Sequence, residues 1–239
     1  MPVTEPEQEL IAAIRAGLTA AGDPDKAPAM QAYMKSAMPY YGVHAPDQRR
    51  LFRAVFAAHP LPDRGHWLAT VRTLWAEATH REERYAAIAL TGGKTYAHWQ
   101  GPDLVDGLYR DMIVTGAWWD YVDDVAIHRV RPLLHSAPEP VTPIMKAWSA
   151  ADDLWLRRAA IICQVGRKSQ TDTDLLALAI DRAAAEPEFF LRKAIGWALR
   201  EYAKTDPDWV RGFVSDRAGR LSPLSVREAV KNLAPAVTP

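Results

Sequence analysis

The feature that most constrains this chain is an internal repeat. Arg158-Ala159-Ala160-Ile161, Lys193-Ala194-Ile195 and Glu228-Ala229-Val230 follow one another at intervals of 35 residues, and one further step back lands on Asp123-Asp124-Val125. Tyr85-Ala86-Ala87-Ile88 lies 38 residues before that. A period in the mid-thirties with two helices per unit is the signature of a helical-repeat solenoid. Each unit is too small to bury its own apolar face and must stack on its neighbours. The rest of the chain agrees. Apolar residues recur at helical spacing in Asp47 to Ala58, Arg64 to Ala76, Arg81 to Leu90, Leu104 to Thr115, Pro143 to Trp148, Asp153 to Val165, Asp174 to Ala185, Glu188 to Ala203 and Ser222 to Leu233. The start reads Thr4-Glu5-Pro6-Glu7, a capping box, followed by Leu10, Ile11, Ile14 and Leu18. Prolines 60, 102, 138, 187, 207 and 223 punctuate these segments, and no alternating strand pattern intervenes. The expected class is all-α, in one domain spanning 1–239.

The repeat also assigns faces. Two residues before the repeated position come Tyr121, Leu156, Leu191 and Val226, and two after come Val125, Ala160, Ile195 and Val230. At about 100° per residue these lie roughly opposite that position, and all are apolar or aromatic. They form the expected packed face. Asp123, Arg158, Lys193 and Glu228 should then point the other way, accompanied by Trp119, Trp155 and Trp197 one helical turn away. Stacking should bring Asp123 beside Arg158. Charges on an outward helix face are ordinary solvated decoration, but tryptophan normally hides its area. Recurring tryptophans around an aspartate and an arginine suggest an aromatic-walled cleft for a planar, positively charged ligand.

Other features exclude more than they indicate. Lys plus Arg and Asp plus Glu both number 29, so the net charge is zero and a broad basic surface of the kind that drives nucleic-acid binding is not expected. No uncharged apolar run reaches the roughly 18 residues of a membrane span. The opening Met1 to Glu7 lacks a basic-then-apolar pattern, so a soluble cytosolic protein is expected. The single cysteine, Cys163, allows no internal disulfide and reads as a buried small hydrophobe. The seven histidines, His44, His128 and His135 among them, show no metal-ligand spacing. Gly92-Gly93-Lys94 lacks a preceding strand and full phosphate-loop spacing, and reads as a helix-ending turn. No metal and no cofactor are expected.

Several stretches carry a family likeness. They are Ala32-Tyr33-Met34-Lys35, Trp118-Trp119-Asp120-Tyr121-Val122-Asp123, Trp155-Leu156-Arg157-Arg158-Ala159-Ala160, the run from Phe189 through Trp197 to Glu201-Tyr202-Ala203-Lys204-Thr205, and Pro223 to Ala229. In this order they resemble the AlkD-type DNA alkylation repair enzymes, bacterial DNA glycosylases built from HEAT-like repeats. The resemblance implies a curved solenoid of tandem HEAT-like two-helix repeats that holds duplex DNA on its concave face. It implies hydrolysis of the N-glycosidic bond of cationic N3- or N7-alkylated purines, without a deep base pocket. At the matching positions Asp123 would be the catalytic carboxylate, Trp119 and Trp197 the aromatic walls, Arg158 a contact to the DNA backbone near the lesion, and Tyr33 part of the frame of the cleft.

The residue types suit that chemistry. An alkylated purine already carries the positive charge of a good leaving group, and bond breaking moves that charge onto the sugar. One carboxylate and two indole faces can stabilise it without a second acid. Arg49, Arg158 and Arg200 are the candidate phosphate contacts; Arg49 reads equally as solvated surface. A monomer in the bacterial cytoplasm, associated with the nucleoid during repair, is the simplest expectation. The competing reading is a non-catalytic helical-repeat module that binds damaged DNA or a protein partner, since a solenoid by itself never implies catalysis.

Overall fold

A computed structural model describes residues 5–233. Among the described residues every regular element is helical. They divide into two compact units that meet between Gln100 and Gly101.

The first unit contains five α-helices: α1 (Glu5–Ala21), α2 (Ala27–Tyr33), α3 (Ala45–Ala58), α4 (Arg64–Ala76) and α5 (Arg81–Thr91). The apolar stripe Leu10, Ile11, Ile14 and Leu18 of α1 is buried as its spacing requires, while the Thr4 end of the expected capping box lies outside the described residues. α4 begins where the Asp63 side chain accepts the His66 backbone N–H at 2.9 Å, and it buries Trp67, Val71 and Leu74 on one face. Gly92 follows α5 directly, so Gly92-Gly93 ends a helix, as its composition suggests. The loop after α2 is held by a buried carboxylate. Glu82 accepts backbone N–H groups from Tyr41, Gly42 and Val43 at 3.0–3.2 Å. Gly42 sits at φ +89, a conformation that favours glycine.

The second unit is the stack of repeats. Its α-helices are α6 (Arg110–Gly116), α7 (Trp119–Val125), α8 (Arg131–Ser136), α9 (Pro138–Ser149), α10 (Leu154–Ile162), α11 (Thr173–Ala183), α12 (Phe189–Tyr202), α13 (Pro207–Asp216) and α14 (Pro223–Val230). π-helical turns at Val105–Tyr109 and Ala126–Val130 run directly into α6 and α8. α7, α10, α12 and α14 pack in that order, each on the next. These four helices carry the repeated position. The expected packed face is buried at Tyr121, Leu156 and Leu191, and at Val125, Ala160 and Ile195. It opens only at α14, where Val226 is half-buried and Val230 exposed.

The other layer is cross-linked at the same period. Arg182 on α11 donates to the Lys146 carbonyl and the Ser149 hydroxyl at the end of α9. Arg217, just after α13, forms a two-point pair with Asp181 of α11 at 2.7 and 2.8 Å. Cys163 is fully buried, and burial pushes its thiol up to about 12, which leaves no nucleophilic thiolate at neutral pH.

Three helices, α2, α8 and α13, escape the periodicity reading; α8 is the short continuation of the π-helical turn at Ala126–Val130. α13 begins at Pro207, which occupies the first turn behind an Asp206 N-cap that accepts from Trp209 N–H at 2.9 Å. That proline starts a helix rather than breaking one. α2 has no buried residue and hence no apolar stripe to read. α9 also starts five residues earlier than its spacing suggests, with Pro143 inside it.

Candidate active site

The site grows from the turn between α6 and α7. Ala117 closes α6 in the left-handed region at φ 44, a conformation that costs a non-glycine residue about 1–2 kcal/mol. The chain then reverses through extended Trp118 and enters α7 at Trp119. Asp123 follows one helical turn after Trp119, on the same face. In the next repeat Asp153 caps α10, accepting the N–H groups of Trp155 and Leu156 at 2.9 Å each. That cap sets the rotation of α10 and so the direction of Arg158.

Arg158 meets Asp123 through two parallel bonds. Nε donates to Oδ1 and Nη2 to Oδ2, both at 2.7 Å. Its remaining terminal nitrogen, Nη1, donates to the Phe190 carbonyl of α12 at 2.6 Å. One guanidinium therefore joins three consecutive repeats. The planar fork of arginine fits this arrangement, whereas a lysine ammonium would not.

The expected outward placement fails at two residues. Arg158 is only 5% exposed and Trp155 only 8%. The reason is a ring cluster that closes over them. Trp118 lies 5.4 Å from Phe190 and 6.1 Å from Trp155, Trp155 lies 5.0 Å from Phe190, and the Phe190 ring stands 6.0 Å from the Arg158 guanidinium. Trp155 is thus a packing residue. Arg158 is a buried partner of Asp123 and does not lie open for a phosphate. Trp118 and Phe190 are the site residues that periodicity did not single out; their signal lay in the adjacent aromatic pairs Trp118-Trp119 and Phe189-Phe190, both inside the stretches of family likeness. Phe189 itself is 57% exposed.

Asp123 is less deeply buried than Arg158, with 16% of its side chain exposed against 6%. Burial pushes its carboxyl above the ordinary aspartate value, against the opposing pull of Arg158, and the neighbouring Asp120 and Asp124 push in the same direction as burial. Trp119 and Trp197, the two expected walls, are both half-buried. They sit on helices that flank α10, the helix of Arg158.

A second charged group continues the repeat. Lys193 and Arg200, on α12, both reach Glu228 of α14, the lysine at 3.2 Å to Oε1 and the arginine to Oε2. Lys193 first, then Arg200, holds the Glu228 carboxyl below the usual range. The four repeated positions therefore pair off as Asp123 with Arg158 and Lys193 with Glu228. Arg200, an expected phosphate contact, has its charge already engaged. Tyr33, 78% exposed at the end of α2, and exposed Arg49 on α3 belong to the first unit.

A protein-family model described as DNA alkylation repair enzyme matches residues 14–233. The chain belongs to that family. Among solved structures, this member of the DNA alkylation repair family is similar to a protein described as a predicted DNA alkylation repair enzyme from Enterococcus faecalis. The two are 31% identical with a TM-score of 0.80, over 90% of this chain and 98% of that one. The fold also resembles the alkylpurine DNA glycosylase AlkC of Pseudomonas fluorescens, solved on DNA containing an abasic-site analogue. There the TM-score is 0.52 and the identity 18%, over 95% of this chain and 62% of that one. No curated protein matches the chain. Among the described residues of this DNA alkylation repair protein, no helix is long and apolar enough to cross a membrane.

Proposed function

We propose that this protein is a DNA glycosylase that hydrolyses the N-glycosidic bond of N3- or N7-alkylated, positively charged purines in duplex DNA. The observation that carries the reading is Asp123: a carboxylate that keeps 16% of its side chain exposed, held in one orientation by Nε and Nη2 of a buried arginine. Membership of the DNA alkylation repair family supports the same chemistry.

The glycosidic bond breaks with its electron pair leaving on the base, which cancels the positive charge of the purine. Positive charge then appears at the sugar carbon. Asp123 faces that charge, and in a partly dry setting its attraction exceeds what water would allow. A water oxygen completes the substitution at the sugar carbon, and the carboxylate takes up the proton that this water loses. Arg158 holds Asp123 in place, and the Trp119 and Trp197 indoles present electron-rich faces to the cationic intermediate. Each carboxylate oxygen keeps a lone pair beyond its bond to Arg158, so the pair does not exhaust the acceptor capacity of the acid.

The second reading is a non-catalytic module that binds damaged DNA or a protein partner. It is favoured by the two-point pair itself, because joining α7 to α10 is also what a purely structural ion pair does. Incubation with methylated duplex DNA separates the two readings. Release of free alkylated base, lost in Asp123→Asn, supports the glycosylase; binding without release by the wild type supports the module.

A further inference from the structure

We propose that Glu228 is a built-in competitor for the DNA backbone, occupying two basic side chains of α12 that would otherwise clasp a phosphate. The inference rests on the DNA-processing reading above and adds a determinant of selectivity to it.

Lys193, Trp197 and Arg200 stand at i, i+4 and i+7 on α12 and so form one stripe. One of the three is an expected wall of the active site, and the other two are cations on either side of it. Both cations converge on a single carboxylate, one on each oxygen of Glu228. A carboxylate and a phosphodiester present the same feature here, two anionic oxygens on one centre. The clasp that accepts one therefore accepts the other.

Glu228 is also firmly positioned. At Gly196 a Cβ would lie 2.5 Å from the Glu228 Cβ and 3.1 Å from the Ser225 carbonyl, so the α12 and α14 backbones approach as closely as glycine permits. Ser222 caps α14 by accepting from Ser225 N–H at 3.0 Å, and the Ser225 hydroxyl donates to the Arg192 carbonyl of α12 at 2.9 Å. The helix that delivers the carboxylate is thus stitched to the helix that carries the cations. Glu228 keeps 16% of its side chain exposed, between Lys193 at 39% and Arg200 at 24%, so all three groups retain some access to solvent.

The consequence concerns intact DNA. Affinity that comes from phosphates is blind to damage, and every phosphate neutralised holds the enzyme on undamaged duplex. With Glu228 in the clasp, DNA gains this contact only by displacing an internal anion. Phosphate contacts then contribute less, and recognition of the lesion contributes a larger share of the discrimination.

The test uses the full chain with undamaged and N-methylated duplexes, titrated over a range of salt concentrations. Glu228→Gln keeps the shape and removes the charge. We expect undamaged duplex to bind about fivefold or more tightly, with the slope of log K against log salt steeper by about one. The ratio of lesion to undamaged affinity should fall correspondingly. In a Lys193→Gln, Arg200→Gln background the same substitution should change neither affinity nor slope. Unchanged or weaker binding by Glu228→Gln, in a protein whose melting temperature stays near wild type, overturns the proposal. So does a gain that persists without Lys193 and Arg200. If the wild type excises base while Glu228→Gln binds as the wild type does, this inference alone fails; if the wild type neither binds nor cuts DNA, the glycosylase reading fails as well.

Discussion

Arg158 grips Asp123 with two parallel N–H···O bonds of 2.7 Å, each partner coming from a different repeat. The pair makes Asp123 a joint between α7 and α10, beside the catalytic role proposed for it. Experiments on either residue must measure folding and rate separately.

Asp123→Asn should lower single-turnover base release by about 10²–10³, the cost of removing one well-placed electrostatic contact. Binding of lesion DNA should change only a few fold. Asp120→Asn is the control, since Asp120 lies near Asp123 but takes no part in the pair. Near-normal turnover by Asp123→Asn would remove the residue from the mechanism.

Removal of Arg158 should act first on stability. Arg158→Ala leaves a part-buried carboxylate uncompensated and removes the side-chain donor to the Phe190 carbonyl, a change of about 3–5 kcal/mol. Its burial also predicts that the salt dependence of DNA binding is left unaltered. Chemical denaturation gives the first quantity and titration at several salt concentrations the second. A slope flattened by about one would mean that Arg158 touches phosphate after all.

The acid limb of the pH–rate profile should lie above the ordinary aspartate value of 3.8, because burial raises the folded-state pKa of Asp123. Protonation removes the charge that faces the sugar cation, so the rate falls as pH falls through the raised value. The stability effect has the opposite sign. A carboxyl whose pKa is raised by folding favours the native state at low pH, and that contribution is lost as pH rises through the folded value. The Asp123 contribution to melting temperature, read as the difference between wild type and Asp123→Asn at each pH, should therefore move opposite to the rate. Carboxyls held low, such as Glu228 and Asp181, act on both proteins alike. A limb at or below 3.8 contradicts the assignment.

Substrate charge should decide what is cut. Cationic N3- and N7-alkylpurines should be released, while ethenoadenine, hypoxanthine and uracil should remain, since a neutral leaving group needs an acid that this site does not supply. Trp119→Ala and Trp197→Ala should each slow excision through the loss of about 0.5–2 kcal/mol of cation–π attraction. Trp155→Ala should instead lower stability, by about 3–5 kcal/mol, because its ring is buried against Trp118 and Phe190. Efficient excision of a neutral base would end this mechanism.

Gly196→Ala tests the close approach of α12 to α14. Alanine favours a helix over glycine by about 1 kcal/mol. Here, however, the added methyl meets the Glu228 Cβ at 2.5 Å, and overpacking of that kind costs about 1–3 kcal/mol. A net loss in denaturation is expected, and a gain would show that the interface yields.

Much of the second unit could be read from spacing alone, because a repeated position in four helices fixes both register and buried face. The pairing of Asp123 with Arg158 followed from the same arithmetic. The burial of Arg158 did not. It depends on Phe190, whose ring stands against the guanidinium and is itself packed by Trp118, and periodicity within one helix carries no information about such a cover. α2 was illegible for a different reason, since a helix that buries nothing leaves no periodic trace. At α13 the signal was present in Asp206 and Pro207, but a proline in a first turn looks like one that ends a segment.

The left-handed bend at Ala117 separates two adjacent tryptophans into different trades. Trp118 becomes mortar between rings, whereas Trp119 opens the helix that bears the acid. Because each residue advances a helix by about 100°, adding or removing one residue at this corner would exchange the two indoles and swing Asp123 away from Arg158. Surface connections usually tolerate such changes in length. This one is a gauge block: its length sets where the proposed acid stands, and a drift of one residue should cost the proposed chemistry before it costs the fold.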